Sequence, residues 1–199
     1  MTRRNRDLHG SAPDKSAVAL LLIDVINDLD FPEAESMLPR ALSMSQQIAR
    51  LKRRARENDV PIIYVNDNFG RWRSDLLAQV EHCLRDGVRG KPIVQSLRPE
   101  EDDYFVLKPK HSGFFSTTLN TLLEYLEVKT LILTGIATNI CVLFTANDAY
   151  MRDFKLVVPQ DCVASNTPEE CDYALDQMQK ILKADIRPAD ELCFDELKK

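Results

Sequence analysis

Short apolar runs recur along the chain, and each stops at a polar residue, a glycine or a proline. Ala17 to Ile23 stops at Asp24, and Pro61 to Asn66 leads into Asp67-Asn68-Phe69-Gly70-Arg71-Trp72-Arg73. Tyr104 to Leu107, Leu131 to Thr134 and Phe154 to Val158 follow, and Ala184 to Arg187 adds a weaker sixth run. The runs are nearly unbroken rather than alternating, which predicts strands buried on both faces. Between them the apolar period lengthens to that of a helix. Leu42, Ile48, Ala49, Leu51 and Ala55 interleave with Gln and Arg over Pro39 to Asn58, and Leu76, Leu77, Val80 and Leu84 form a stripe over Ser74 to Arg85. A third helix is expected from a Ser116 or Thr117 cap through Glu127. A fourth runs from a Thr138 or Asn139 cap to Tyr150, and a last spans Pro168 to Lys183 with Thr167 as cap and proline at the favoured first position. Asp86 to Asp103, rich in Gly, Pro and charge, reads as a surface loop. Strand and helix alternate throughout. The expectation is therefore an α/β fold: a three-layer sandwich in which a mainly parallel, six-stranded, Rossmann-like sheet carries helices on both faces. No repeat or linker divides the chain, so a polar tail over residues 1–15 and one domain over 16–199 are expected.

Composition narrows the function classes. The 199 residues are 44 % hydrophobic and 29 % charged, ordinary for a globular protein. A net charge of −5 argues against nucleic acid as a partner, because phosphate binding wants a basic face. The Ala17–Ile23 run is too short to cross a bilayer, and the basic N-terminus lacks a signal-peptide core, so no membrane partner and a cytoplasmic location are expected. The five cysteines (83, 141, 162, 171 and 193) form no close pair and read as reduced thiols. The three histidines are His9 in the tail, His82 on a predicted helix and His111 in a loop. They make a His-rich metal site unexpected, and any Cys-His or Ser-His machine would have to rest on His111 or His82.

In sheets of this kind the working crevice lies at the carboxyl ends of the strands. Three reactive side chains fall there: Asp24 after the first strand, Lys108 after the third and Cys141 after the fourth. Singly, each has a bland reading as a loop cap, a solvated lysine or a small core residue. Jointly they make a site. Cys141 in the first turn of a helix, with Lys108 beside it, would have a lowered thiol pKa and attack a carbonyl carbon. Asp24 would take the thiol proton and pass it to the leaving group. The backbone N–H of Cys141 and one from the Ile136-Ala137-Thr138 turn would hold the oxyanion.

These residues carry a resemblance. Leu22-Ile23-Asp24-Val25-Ile26-Asn27-Asp28-Leu29, Leu107-Lys108-Pro109-Lys110-His111-Ser112-Gly113-Phe114 and Thr134-Gly135-Ile136-Ala137-Thr138-Asn139-Ile140-Cys141-Val142 resemble the three motifs of the isochorismatase-like cysteine hydrolases. That family includes nicotinamidases, N-carbamoylsarcosine amidases and ureidoacrylate-type amidohydrolases. The resemblance covers about Ala17 to Ile186, with Ile26, Leu29 and Gly113 standing where the family more often has Gln, Phe and Ala. It implies the isochorismatase-like hydrolase fold and an Asp24–Lys108–Cys141 triad, with Lys108 chosen over Lys110 by its distance from Ser112. It further implies a cis peptide between Ile136 and Ala137 that turns the Ala137 N–H into an oxyanion hole beside that of Cys141. The chemistry implied is thioester formation with release of ammonia or an amine, then hydrolysis. Family nicotinamidases bind a metal through an Asp-x-His after the second strand. The matching place here is Asp67-Asn68-Phe69, so no metal and no cofactor are expected. Isochorismatases proper lack the cysteine, so Cys141 argues against their vinyl-ether cleavage.

The reading is thus a metal-independent cysteine amidohydrolase of a small carboxamide or ureido compound. The alternatives are an isochorismatase-like hydrolase of a non-amide bond and a non-catalytic binding domain of this fold. Phe31, Phe69, Trp72 and Phe114 are candidate pocket walls, and Arg71 or Arg73 a candidate for a substrate carboxylate. A homo-oligomer, dimer or tetramer, is expected by default.

Overall fold

Strand β1 (Val18–Ile23) is fully buried along its length, and its alternate residues feed two separate cores. Val18, Leu20 and Leu22 pack into one hydrophobic cluster, while Ala19, Leu21 and Ile23 pack into the other. Successive strand residues point to opposite faces, so a strand apolar at every position needs cover on both sides. In the computed structural model, which describes residues 15–68 and 75–199, that cover is helical on each face. One layer contains α1 (Ala34–Glu57), α2 (Leu76–Cys83), α3 (Lys91–Ser96) and the short α7 (Phe194–Leu197). The other contains α4 (Leu119–Tyr125), α5 (Leu143–Tyr150) and α6 (Pro168–Lys180).

The sheet is parallel and runs β3–β2–β1–β4–β5, where β2 is Ile62–Asp67, β3 Tyr104–Lys108, β4 Thr130–Ile136 and β5 Lys155–Val157. The chain winds outward from β1 through β2 to β3, then crosses back to lay β4 on the other side of β1. The strand order therefore reverses between β1 and β4, which is where a sheet of this kind forms its crevice, at the carboxyl ends of the strands. The sixth strand is not the expected Ala184–Arg187, which makes only an isolated bridge, Asp185 to Val157. It is β6 (Val163–Ala164), which pairs with β4 at Gly135 and Ile136. Two residues make too short an apolar run to register as a strand in sequence.

Other departures have local causes. Helix α1 begins at Ala34 rather than Pro39, because Ala34 and Met37 are buried in the core and outweigh the one backbone bond that Pro39 removes. Part of the expected 86–103 loop is helix α3, pinned by buried Ile93 and Val94. Strand β3 lies at the sheet edge and exposes Phe105, so it is not covered on both faces. Helix α6 starts as expected: Thr167 and Glu170 form a reciprocal capping box with proline in the first turn.

Gly135 has φ 112° and lies opposite Ile23 in the β1–β4 ladder. A Cβ there would stand 2.0 Å from the Ile23 carbonyl oxygen. Positive φ and backbone approach together demand glycine. Gly135→Ala is expected to cost about 3 kcal/mol, measurable by urea unfolding, through strain and overlap that β1 cannot relieve.

Candidate functional site

Asp24 follows β1 directly and has φ 52°, which turns the chain out of the sheet. Asn66 on β2 holds the next turn in place: its side-chain oxygen accepts from Ile26 N at 3.1 Å and its amide donates to Ile26 O at 2.8 Å. Asp24 is 5 % exposed. One carboxylate oxygen accepts from Asp67 N at 2.7 Å, and the other lies 2.8 Å from Lys108 Nζ.

Lys108 ends β3, two strands from β1, and is wholly buried. Adjacent strands lie about 4.8 Å apart. A four-carbon stem is therefore needed to carry a charge past β2 to the crevice. Its ammonium reaches Asp24, donates to Cys141 Sγ at 3.4 Å and lies 3.6 Å from Asp67 Oδ2. Lys110, the alternative in sequence, is exposed.

Cys141 does not sit in an ordinary helical first turn. Thr138–Val142 forms a π-turn ahead of α5, with Ala137 O accepting from both Ile140 N and Val142 N. Neither Thr138 nor Asn139 caps it. Thr138 Oγ1 lies 3.3 Å from Cys171 Sγ, and the Asn139 side chain accepts from Ser165 Oγ at 3.0 Å. Such π-turns cluster at functional sites because they re-aim one side chain. The preceding Ile136–Ala137 peptide is cis. The sulfur is half-buried rather than sealed in hydrocarbon.

The electrostatics correct one expectation. The thiol is not acidified. Burial first, then the Asp24 carboxylate, push it up to about 12, and Lys108 pulls back only partly. Burial also raises the Asp24 carboxyl above its ordinary value, against Lys108, the Cys141 hydrogen bond and Asp67 N. For Lys108, burial favours the neutral form, but Asp24, Cys141 and Asp67 together outweigh it and raise its pKa. The thiol is thus held neutral, beside the 2.8 Å Asp24–Lys108 contact and hydrogen-bonded to the Asp24 side chain.

His111, from the segment after β3, brings Nδ1 to 3.9 Å from the sulfur. His82 instead pairs with Asp28 at 3.0 Å. Phe31 is half-buried against the α1-side core. Phe114 is not a pocket wall as expected. It is 6 % exposed in the opposite core, its ring 6.1 Å from that of Phe154 and under the Arg152 guanidinium, because Gly113 and Ser112 are drawn onto α5. Phe69, Arg71, Trp72, Arg73 and His9 lie outside the described residues. Asn68 follows Asp67, Asp67 faces an ammonium, and among the described residues no three His, Cys, Asp or Glu side chains converge. No helix of the described residues is long and apolar enough to cross a membrane. A surface cleft of about 760 Å³, bordered by Asn120, Glu124 and Phe154, opens near the amino ends of β4 and β5, away from Cys141.

One residue that shapes this site was missed in sequence. Asp67 was noted only as part of an incomplete metal motif, yet it buttresses Asp24 and faces Lys108. Its position at the end of β2, between β1 and β3, was the available clue.

Comparison with known proteins finds relatives over nearly the whole chain. The family described as Isochorismatase domain matches residues 18–187. The chain is 43 % identical over 178 residues to the uncharacterized isochorismatase family protein YaaI of Bacillus subtilis, covering 89 % of this chain and 97 % of that one. It is 36 % identical over 88 residues to the ureidoacrylate amidohydrolase RutB of Methylorubrum extorquens, but that match spans 44 % of this chain and 36 % of the relative. Among solved structures, the N-carbamoylsarcosine amidase from Thermoplasma acidophilum has a TM-score of 0.69 at 26 % identity, covering 88 % of this chain and 98 % of the other.

Proposed function

The chain belongs to the isochorismatase family, and from that premise we propose that it is a metal-independent cysteine amidohydrolase that cleaves the C–N bond of a small carboxamide or ureido compound. The observation that supports this most is the contact chain Asp24–Lys108–Cys141, with 2.8 Å and 3.4 Å links, at the mouth of the reversal between β1 and β4. Amidase relatives and the presence of the cysteine agree with it.

In this reading Asp24 accepts the thiol proton as Sγ bonds to the carbonyl carbon. The raised carboxyl pKa makes Asp24 a better base, and the raised thiol pKa means the proton leaves only during attack. Lys108 offsets the negative charge shared by sulfur and carboxylate. The backbone N–H groups of Ala137 and Cys141 hold the oxyanion. Protonated Asp24 then gives its proton to the leaving nitrogen, ammonia or an amine departs, and water hydrolyses the Cys141 thioester.

The test is ammonia or amine release from a panel of small carboxamides and ureido acids by the wild type and by Cys141→Ala. Turnover of no member, or turnover that survives the substitution, overturns the reading. The pH profile gives a second check. Asp24 must be ionised to act, and its raised pKa means it protonates at higher pH than a free carboxylate. The acid limb of kcat/KM for an uncharged amide is expected above the ordinary midpoint of about 4. A limb at or below that value removes Asp24 as the base.

A further inference from the structure

Thr145 lies one helical turn beyond Cys141, on α5, and is wholly buried. Its hydroxyl donates to Cys141 O at 2.7 Å and accepts from Gly113 N at 3.0 Å. A threonine that bonds back to the carbonyl four residues earlier is common in helices. Here the second bond fixes the first. Gly113 N only donates, so the single hydroxyl proton must go to Cys141 O. Thr145 is 0 % exposed, which keeps solvent from taking over either bond.

The two partners belong to the segments that bring Lys108 and Cys141 together. Lys108 is fixed by the sheet, in register with Asp67 of β2, and Gly113 lies in the segment that follows it. Cys141 sits in the π-turn, which Ser165 beside β6 holds on one side. Asn139 N donates to Ser165 Oγ at 3.4 Å, and that hydroxyl donates to Asn139 Oδ1 at 3.0 Å. Thr145 supplies the tie on the β3 side. The contacts close a ring, from Lys108 through Gly113 and Thr145 to Cys141 and back by the 3.4 Å contact of Nζ with Sγ. Ser112 and Asp148 also tie this segment to α5, but not to the residue that carries the sulfur.

We propose that Thr145 is a positioning residue of this site: its hydroxyl sets the nucleophile turn against the segment after β3 and so holds the Cys141 sulfur within reach of the Lys108 ammonium. The geometry at stake is sensitive, because a misplacement of about 1 Å at reacting atoms costs about a hundredfold in rate. Lys108 is also the group that draws the thiol pKa down, against burial and Asp24. A sulfur that drifts from it is therefore harder to ionise. For turnover, this role rests on the amidase reading above; for the reactivity of the thiol it does not.

The experiment uses the full chain, with iodoacetamide as the thiol probe. Modification of Cys141 is followed by the mass of its peptide, which separates it from the exposed Cys193. Amide turnover is measured on a carboxamide of the panel that the wild type hydrolyses. Thr145→Val keeps the shape and removes the hydroxyl, and Thr145→Ser keeps the hydroxyl. In Thr145→Val, alkylation at pH 8 should slow about tenfold, the change for one pKa unit, and kcat should fall about a hundredfold with KM within about threefold of wild type. Thr145→Ser should stay within about threefold of wild type in both assays. A threonine that only packs gives the opposite sign, since loosening a half-buried turn exposes the sulfur and speeds alkylation. Alkylation of Thr145→Val at or above the wild-type rate, an unchanged kcat, or a serine variant as impaired as the valine one overturns the role of Thr145. Should the valine variant not fold, Thr145→Ala removes the hydroxyl with no methyl set against Gly113 N and Cys141 O, and is held to the same outcomes. Slowed alkylation with serine rescue, in a protein whose wild type hydrolyses no amide, upholds Thr145 and overturns the amidase reading alone.

Discussion

Cys141→Ala is expected to lower amide turnover by about 10⁴-fold or more, the usual scale for removal of a covalent nucleophile. The fold should hardly notice. Cys141 is half-buried, Ala is a good helix former, and the surrounding ties run through backbone atoms and through Thr145 rather than through the sulfur. Unfolding midpoints should therefore agree within about 1 kcal/mol. Cys141→Ser separates chemistry from polarity. It retains a group that can accept from Lys108 and donate to Asp24, but an alcohol is far harder to ionise, so activity should remain close to that of the alanine variant. A serine variant within tenfold of wild type would mean that the sulfur is only a polar contact, and the thioester would have to be abandoned.

Asp24→Asn should be inactive for a different reason, and its thiol should become more reactive. The carboxylate is the second largest cause of the raised Cys141 pKa, after burial. Without it, Lys108 acts on the sulfur with less opposition, and the thiol pKa falls. Alkylation by iodoacetamide at pH 8 should then speed up, about tenfold for each pKa unit lost, while amide hydrolysis disappears with the base. The substitution also strips Lys108 of its 2.8 Å partner inside the protein. An uncompensated buried charge costs about 3 to 5 kcal/mol, and Asp67 Oδ2 at 3.6 Å should keep the loss near the lower figure. Slower alkylation in Asp24→Asn would contradict the electrostatic account. Retained hydrolysis would remove Asp24 from the mechanism.

Much of this arrangement was legible along the chain. Unbroken apolar runs such as Ala19–Ile23 have one stable environment, the middle of a parallel sheet, and the polar residues that end them must fall at one edge. On that basis Asp24, Lys108 and Cys141 are placed at one edge of the sheet from the sequence alone. Their motifs also carried the family resemblance. The misreadings share a cause. A two-residue strand such as Val163–Ala164 has no period to detect, and α3 hides in a charged stretch because only Ile93 and Val94 commit it to the core. Phe114 sits in the expected Lys motif, but the direction of its ring depends on Ser112 and Gly113 meeting Asp148 and Thr145, 36 and 32 residues away in sequence.

Local chemistry along the chain thus determined the alternation of strands and helices, the glycine at 135 and the identity of the acid, the ammonium and the sulfur. Tertiary structure decided how those groups act on one another. A cysteine behind a strand and beside a lysine reads as acidified. Burial and the proximity of Asp24 reverse that sign, because desolvation and a neighbouring charge depend on distances that no sequence spacing contains. The same holds for His111, an unremarkable loop histidine until side-chain ties to α5 bring its nitrogen to within 3.9 Å of the sulfur.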